Sequence, residues 1–245
     1  MPAPASRHVV VLAPMPLEME AITTAFGLRP AGDGPAGPWT GRVGGSDVTA
    51  VHIGMGPPLT RAAITALLDG GDTGRRPVDH LMIAGICGGL DPDLAVGTLV
   101  NPEVIVDHTS GAAYPHDPPG DAARAGKLVT TEEATLDVEL SKRFWAEGFL
   151  GVDMESAAVA EMCEPRGVPW SVYRCIGDRW CDGLLDERIV ANTNADGSGN
   201  AEGIRRLLEA DPGLGEKLRR LAEDTTRAAR LAAEAAVRGC LALDT

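Results

Sequence analysis

An α/β sandwich is the fold class this sequence predicts, on three observations. Short apolar, β-branched runs alternate with stretches of helical composition. The runs end at clusters of Gly, Pro or acidic residues, where strands turn into loops or helices. Finally, 245 residues with 44% hydrophobic content are enough to bury one substantial core. Residues 8–13 (HVVVLA) read as a buried strand that ends at Pro14 and Pro16. Residues 17–26 have helical composition, with Gly27 as the stop. The many Gly and Pro between 30 and 46 mark turns, with a hairpin around 39–43. Residues 48–53 form the next strand and run into Gly54-Met55-Gly56-Pro57-Pro58, a fitting entry for a helix over 59–68.

A strand over 80–84 leads into Gly85-Ile86-Cys87-Gly88-Gly89, and 98–107 carries one or two further strands. Residues 109–126 repeat Gly, Ala, Pro and Asp without periodicity and read as a mobile loop, a lid over a pocket. A short strand over 128–130 precedes a helix over 135–147. Then come a helix over 156–166, stopped by Gly167, and a strand over 170–176. A long loop over 179–200 leads to helices over 201–208 and 213–241, the last rich in Ala, Arg and Glu. No internal repeat appears, and no linker is long enough to divide the chain. Residues 1–245 are therefore read as one domain, a three-layer α/β/α sandwich whose sheet is mixed where hairpins join it.

The composition narrows the partners. A formal charge of −13 and a pI near 4.8 argue against nucleic acid or an anionic membrane. Residues 1–8 lack the basic start, apolar stretch and cleavage site of a signal peptide, and no run approaches membrane-spanning length. The five cysteines form no C-x-x-C pair, and most lie in apolar or helical patterns. The five histidines do not cluster at ligand spacing. Together these give a reduced, cytoplasmic protein with no metal and no cofactor.

The chemistry concentrates in Gly151-Val152-Asp153-Met154-Glu155-Ser156 and, some twenty residues on, Val172-Tyr173-Arg174-Cys175-Ile176-Gly177-Asp178. Glu155 and Asp178 each stand where an apolar run stops, and the carboxyl ends of strands are where α/β proteins display their sites. Simpler readings exist for both. Asp153 and Glu155 suit the first turn of the following helix, and Asp178 suits a turn or an ion pair with Arg179.

Four segments in this order resemble the nucleoside phosphorylase and nucleosidase superfamily: 13–20 (APMPLEME), 53–56 (IGMG), 85–90 (GICGGL) with Val96-Gly97, and 152–178. The similarity is greatest to the branch of bacterial methylthioadenosine/S-adenosylhomocysteine nucleosidases. It implies a central mixed, partly barrel-like sheet and an enzyme that breaks the N-glycosidic bond of a purine nucleoside. By the same resemblance Glu155 accepts hydrogen bonds from the ribose hydroxyls, since a carboxylate takes two neighbouring donors. Met154 lies against the sugar. Asp178 protonates the departing base, which requires a raised pKa. Glu18 activates the attacking water on the opposite face; without the family it would be one of two acids on a solvated helix face, beside Glu20.

The glycine turn separates water from phosphate. Phosphorylases of this superfamily use an Arg and a Ser in R-x-G-S-x-G, where this chain has Ile83 and Ile86. No aliphatic side chain replaces the donors of Arg, so hydrolysis is expected. Gly85, Ile86, Cys87 and Gly88 then pack beside the sugar or base. Two further departures are Gly177, where relatives have Ser, and Ala134, near the relatives' base-stacking Phe; Trp180 is the candidate aromatic in its place. His108, beside Asp107, is a lesser candidate. The expected substrate is a purine nucleoside, adenine-bearing, with a modified 5′ group. Two alternatives stay open: a phosphorylase that holds phosphate through Arg42 or Arg61, and a catalytically silent nucleoside-binding protein. The resemblance also implies a homodimer or higher homo-oligomer.

Overall fold

Along β1 (Arg7–Ala13) the side chains divide between two cores. Val9, Val11 and Ala13 join one apolar cluster with Ile22, Phe26, Ala233 and Ala236, while Val10 and Leu12 join another with Ile64, Ala157 and Val159. Alternation with both faces apolar is the mark of a strand buried between two helical layers. In this computed structural model residues 6–32, 37–69, 76–120 and 122–244 are described. The start of the N-terminal segment and the centre of the Gly/Pro stretch lie outside them, and all statements of absence below concern the described residues.

The order of elements follows the alternation read from the sequence. After β1 come α1 (Pro16–Phe26), β2 (Arg29–Pro30), β3 (Trp39–Val43), β4 (Ser46–His52) and α2 (Pro57–Leu68). The middle contains β5 (His80–Gly89), β6 (Leu99–Val100), β7 (Val104–Asp107), β8 (Ala113–Pro115), β9 (Lys127–Thr130) and α3 (Val138–Ala146). The last part is β10 (Phe149–Asp153), α4 (Ser156–Cys163), β11 (Trp170–Arg179), α5 (Glu187–Val190), α6 (Ala201–Ala210) and α7 (Leu214–Ala242). No helix is long and apolar enough to cross a membrane.

The sheet is mixed and branches at β5. One path runs β2-β3-β4-β1-β5-β10-β9-β7-β8, while β11 pairs with β5 and with β6 off this path. The first half of β5 pairs in parallel with β1, and its end pairs antiparallel with β10 through Gly88 and Gly89. Along its other edge β5 runs parallel to the whole of β11. Branching gives the curvature that a partial barrel would have, but the sheet does not close. Helices α1 and α7 cover one face, and α2 and α4 the other.

Two loops differ from the sequence reading. The 109–126 segment is pinned rather than mobile: β8 pairs with β7, and buried His116 accepts from Val172 N at 3.1 Å and faces Pro102 O at 3.0 Å. It does not line the large cavity described below. The 179–200 loop holds α5 and a Thr193–Gly199 bridge, and this segment covers the cavity instead.

Candidate functional site

The ends of β1, β5, β10 and β11 converge on one cavity of about 890 Å³. Glu18, Glu155 and Asp178 all line it, with Met154, Ile86, Cys87, Gly88 and Ala134. Beneath them lies the residue whose role the sequence reading missed, Arg174. Its side chain and that of Glu18 are each 1% exposed. Arg174 Nε meets Asp153 at 2.8 Å, Nη2 meets Glu155 at 2.9 Å, and Nη1 stands 3.7 Å from Glu18. An arginine inside the apolar run of β11 was the visible signal, because such a cation is buried only when carboxylates meet it.

Glu155 is fixed on both oxygens. Oε1 accepts from Gly56 N at 2.7 Å and Oε2 from Arg174 at 2.9 Å. Gly56 has φ 90°, a left-handed conformation that suits glycine, and this turns its N–H toward the carboxylate. Burial raises the pKa of Glu155 against the pull of Arg174, and Asp153 raises it further. Asp153 bears out its simpler reading and adds to it. It accepts from Ser156 N at 3.2 Å in the first turn of α4, and from Thr130 at 2.7 Å, while also bonding Arg174 and the Ser156 hydroxyl.

Glu18 does not lie on a solvated face. Oε2 accepts from Met15 N at 2.8 Å, the return half of a capping box at the start of α1, and Oε1 accepts from Ile86 N at 2.7 Å. Burial pushes its carboxyl up to about 7; Arg174 opposes this and Glu155 adds to it. Arg174 itself is disfavoured by burial, yet Asp153, Glu155 and Glu18 hold it protonated. One cation faces three carboxylates, so one of them keeps a proton readily.

Asp178 stands apart from this network. Regular alternation would put it on the face of Arg174 and Ile176. The register of β11 against β5 shifts between Ile176 and Asp178, and the extra residue, Gly177, turns Asp178 away from that face. Arg179 bonds Asp182 rather than Asp178. Burial therefore pushes Asp178 up to about 6, with Asp182 adding to the rise.

Other expected residues move or change role. Gly85 does not line the cavity; a Cβ there would lie 1.9 Å from Glu18 Oε1 and 2.7 Å from Arg174 Nη1, so its bareness makes room for that pair. Trp180 turns into the core, donating to Leu90 O at 2.8 Å beside Phe144 and Phe149, and gives the cavity no aromatic face. His108 packs edge-on against Phe144 with centroids 5.0 Å apart. Arg61 pairs with Glu161 at 2.8 Å, and neither it nor Arg42 lines the cavity. No group of His, Cys, Asp and Glu is arranged to hold a metal ion.

A family model, the phosphorylase superfamily, matches residues 8–146. The chain belongs to that superfamily. The match covers Glu18 and the β5 glycine turn, whereas Glu155, Arg174 and Asp178 lie beyond it. Among curated superfamily relatives, the 5′-methylthioadenosine/S-adenosylhomocysteine nucleosidase of Pseudoalteromonas translucida is 28% identical over 171 residues, 57% of this chain and 70% of that one. The AMP nucleosidase of Escherichia coli is 27% identical over 185 residues, 63% of this chain and 37% of that protein. The fold recurs in solved structures. The S-adenosylhomocysteine nucleosidase of Streptococcus pyogenes, in complex with 5-methylthiotubericidin, has a TM-score of 0.70 at 15% identity, covering 98% of this chain and 99% of that one. The futalosine hydrolase of Helicobacter pylori has a TM-score of 0.66 at 16% identity, covering 98% of each.

Proposed function

We propose that this chain is a nucleosidase that hydrolyses the N-glycosidic bond of a purine nucleoside, adenine-bearing and modified at its 5′ position, releasing free base. One observation carries the reading: three carboxylates in three different electrostatic settings face a single cavity. The curated relatives named above are nucleosidases, which agrees with it.

Each carboxylate has a task that its setting suits. Glu155, held by Gly56 N and Arg174, keeps lone pairs for the 2′- and 3′-hydroxyls of a ribose, with Met154 against the sugar. Asp178, with its pKa raised to about 6, holds a proton for the purine N7, so the base leaves neutral. Glu18, ionised, takes a proton from water as that water attacks C1′ of an oxocarbenium-like sugar. Acid and base on opposite faces resemble the division of labour in an inverting glycosidase. Cys87, Gly88 and Ala134 flank the cavity where the base and sugar would lie.

Water rather than phosphate is the nucleophile in this reading. Arg174 is spent on three carboxylates, and a phosphate brought beside Glu18 and Glu155 would meet their negative charge. The proposal includes a cytoplasmic setting, which the five free cysteines support, a single domain, and a homo-oligomer, most simply a dimer. A panel of purine nucleosides differing at base and 5′ position, assayed for base release with and without phosphate, tests it. Release from 5′-modified adenosines regardless of phosphate is expected. Tight binding with no release of base would favour a silent binding protein.

A further inference from the structure

A purine offers a protein two kinds of polar contact, and the cavity answers them unequally. N7 is an acceptor in adenine, hypoxanthine and guanine alike, whereas the N1–C6 edge exchanges donor and acceptor between 6-amino and 6-oxo bases. For N7 the site commits one side chain, Asp178, left free by Arg179, which bonds Asp182 instead. The sheet sets the slot beside it. Gly88 pairs with Asp178 between β5 and β11, and with Val152 between β5 and β10. A Cβ on Gly88 would stand 3.1 Å from Val152 Cγ1, so glycine leaves this strip bare. On the far side runs the 133–136 segment, led there by Thr131, whose N–H donates to Asp153 O at 2.9 Å.

No side chain on that wall chooses between the two base classes. Among the described residues lining the cavity none is aromatic, and none is His, Lys or Arg. The amides, Asn192 and Asn194, belong to the 192–199 loop and donate to Arg188 O at 2.8 Å and Ser198 Oγ at 2.9 Å. Thr225 donates within its own helix, to Leu221 O at 2.7 Å. The Thr135 hydroxyl, 3.4 Å from Thr131 Oγ1, turns to donate or to accept. Glu133 is exposed at the rim and, ionised, only accepts. Each base class presents a donor on this edge, the 6-amino group in one and N1–H in the other, so an acceptor suits both.

The backbone there is equally uncommitted. Residues 132–136 lie in neither strand nor helix. A chain outside both ladders presents N–H and C=O groups side by side, and these meet a donor and an acceptor in either order. Rejection by about 10,000-fold arises where a site built to bond one group leaves a buried polar atom unpaired on meeting another. The sugar end is built that way. Glu155 is buried and fixed by Gly56 N at 2.7 Å and Arg174 at 2.9 Å, so a missing ribose hydroxyl leaves a held carboxylate without its donor.

Resting on the nucleosidase reading, we infer a further activity: the site reads the ribose and N7 but not the six-position, and it releases hypoxanthine from 6-oxopurine nucleosides as well as adenine from 6-amino ones. The bond broken is C1′–N9 in both. Water supplies the hydroxyl at C1′, its proton goes to Glu18, and the base leaves with the proton of Asp178 on N7. The proton on Glu18 then returns through solvent to Asp178.

The purified full chain is assayed for base release with 5′-methylthioadenosine, 5′-methylthioinosine and 3′-deoxy-5′-methylthioadenosine. The first two differ only at the base, the first and third only at the sugar. The expected result is kcat/KM within tenfold for the adenosine and inosine forms, and at least tenfold lower for the 3′-deoxy compound. A wider gap between adenosine and inosine forms, in either direction, overturns the inference and leaves the nucleosidase reading standing. A 3′-deoxy compound cleaved as fast as its parent overturns the claim that the ribose is read. If neither base is released, the nucleosidase reading and the release of hypoxanthine fall together. Equilibrium affinities then judge the slot alone: values within tenfold support its indifference to the six-position, and a wider gap contradicts it.

Discussion

The backbone N–H of Ile86 donates to Glu18 Oε1 at 2.7 Å, while the Ile86 side chain closes the wall against Gly177. The residue that stands where the resemblance places the phosphorylases' phosphate-binding Ser therefore also fixes the proposed base. Choice of nucleophile and placement of that base are linked at one position of β5.

The pH dependence of base release follows from the two raised pKa values. Glu18 must be ionised and Asp178 protonated, yet Glu18 titrates at about 7 and Asp178 at about 6. Below about 6 both carry protons and Glu18 cannot accept one; above about 7 both are ionised and Asp178 cannot donate. kcat/KM against pH is expected to be a narrow bell centred between those values, with roughly one molecule in twenty in the active ionisation state at the peak. A flat profile from pH 5 to 9 would sink the assignment.

Arg174 is the sole cation among Asp153, Glu155 and Glu18 in the ion pairs of this cluster. Arg174→Met leaves buried carboxylates without their partner, and urea unfolding is expected to show a loss of about 3–5 kcal/mol. Because Arg174 lowers the pKa of Glu18, its removal also lowers the peak of the pH profile and moves its basic limb upward, since with Glu18 titrating above Asp178 the upper limb follows Glu18. A loss below about 1 kcal/mol would show that the carboxylates are already protonated in the folded protein.

Gly85→Ala tests the making of room. The new methyl would stand 1.9 Å from Glu18 Oε1, so the carboxylate must move. Displacing a reacting group by about 1 Å costs on the order of 100-fold in rate, whereas overpacking costs about 1–3 kcal/mol. Activity should fall by that factor in protein that still melts cooperatively. Wild-type turnover would contradict the placement.

Gly177→Ser introduces the residue that the family resemblance implies here, but its Cβ meets Ile86 Cβ at 3.2 Å and Thr225 Cγ2 at 3.4 Å. The expected loss is about 1–2 kcal/mol, or roughly 2–8 °C in Tm. Combining it with Ile86→Ala, which keeps the Cβ contact but removes that with Ile86 Cδ1 at 3.3 Å, should recover part of the loss, since touching residues couple. Strict additivity in the double-mutant cycle would mean that the two positions are independent.

Glu155 and Asp178 were legible in the sequence because each closes an apolar run, Glu18 only through the family resemblance, and all three do face one cavity. What periodicity could not give was direction. The extra residue at Gly177 exchanges faces along β11, so Asp178 parts from Arg174. Trp180, just past the end of that strand, enters the core instead of the cavity. Long-range packing was equally hidden. Nothing local distinguishes 109–126 from a lid until His116 is seen bonded to β11.

The most direct measurement of the central claim is the origin of the oxygen on C1′ of the sugar product. Turnover of a 5′-alkylthioadenosine in ¹⁸O-water containing unlabelled phosphate should give free adenine and a free sugar carrying one ¹⁸O at C1′. A sugar 1-phosphate whose C1′ oxygen comes from phosphate would contradict the account.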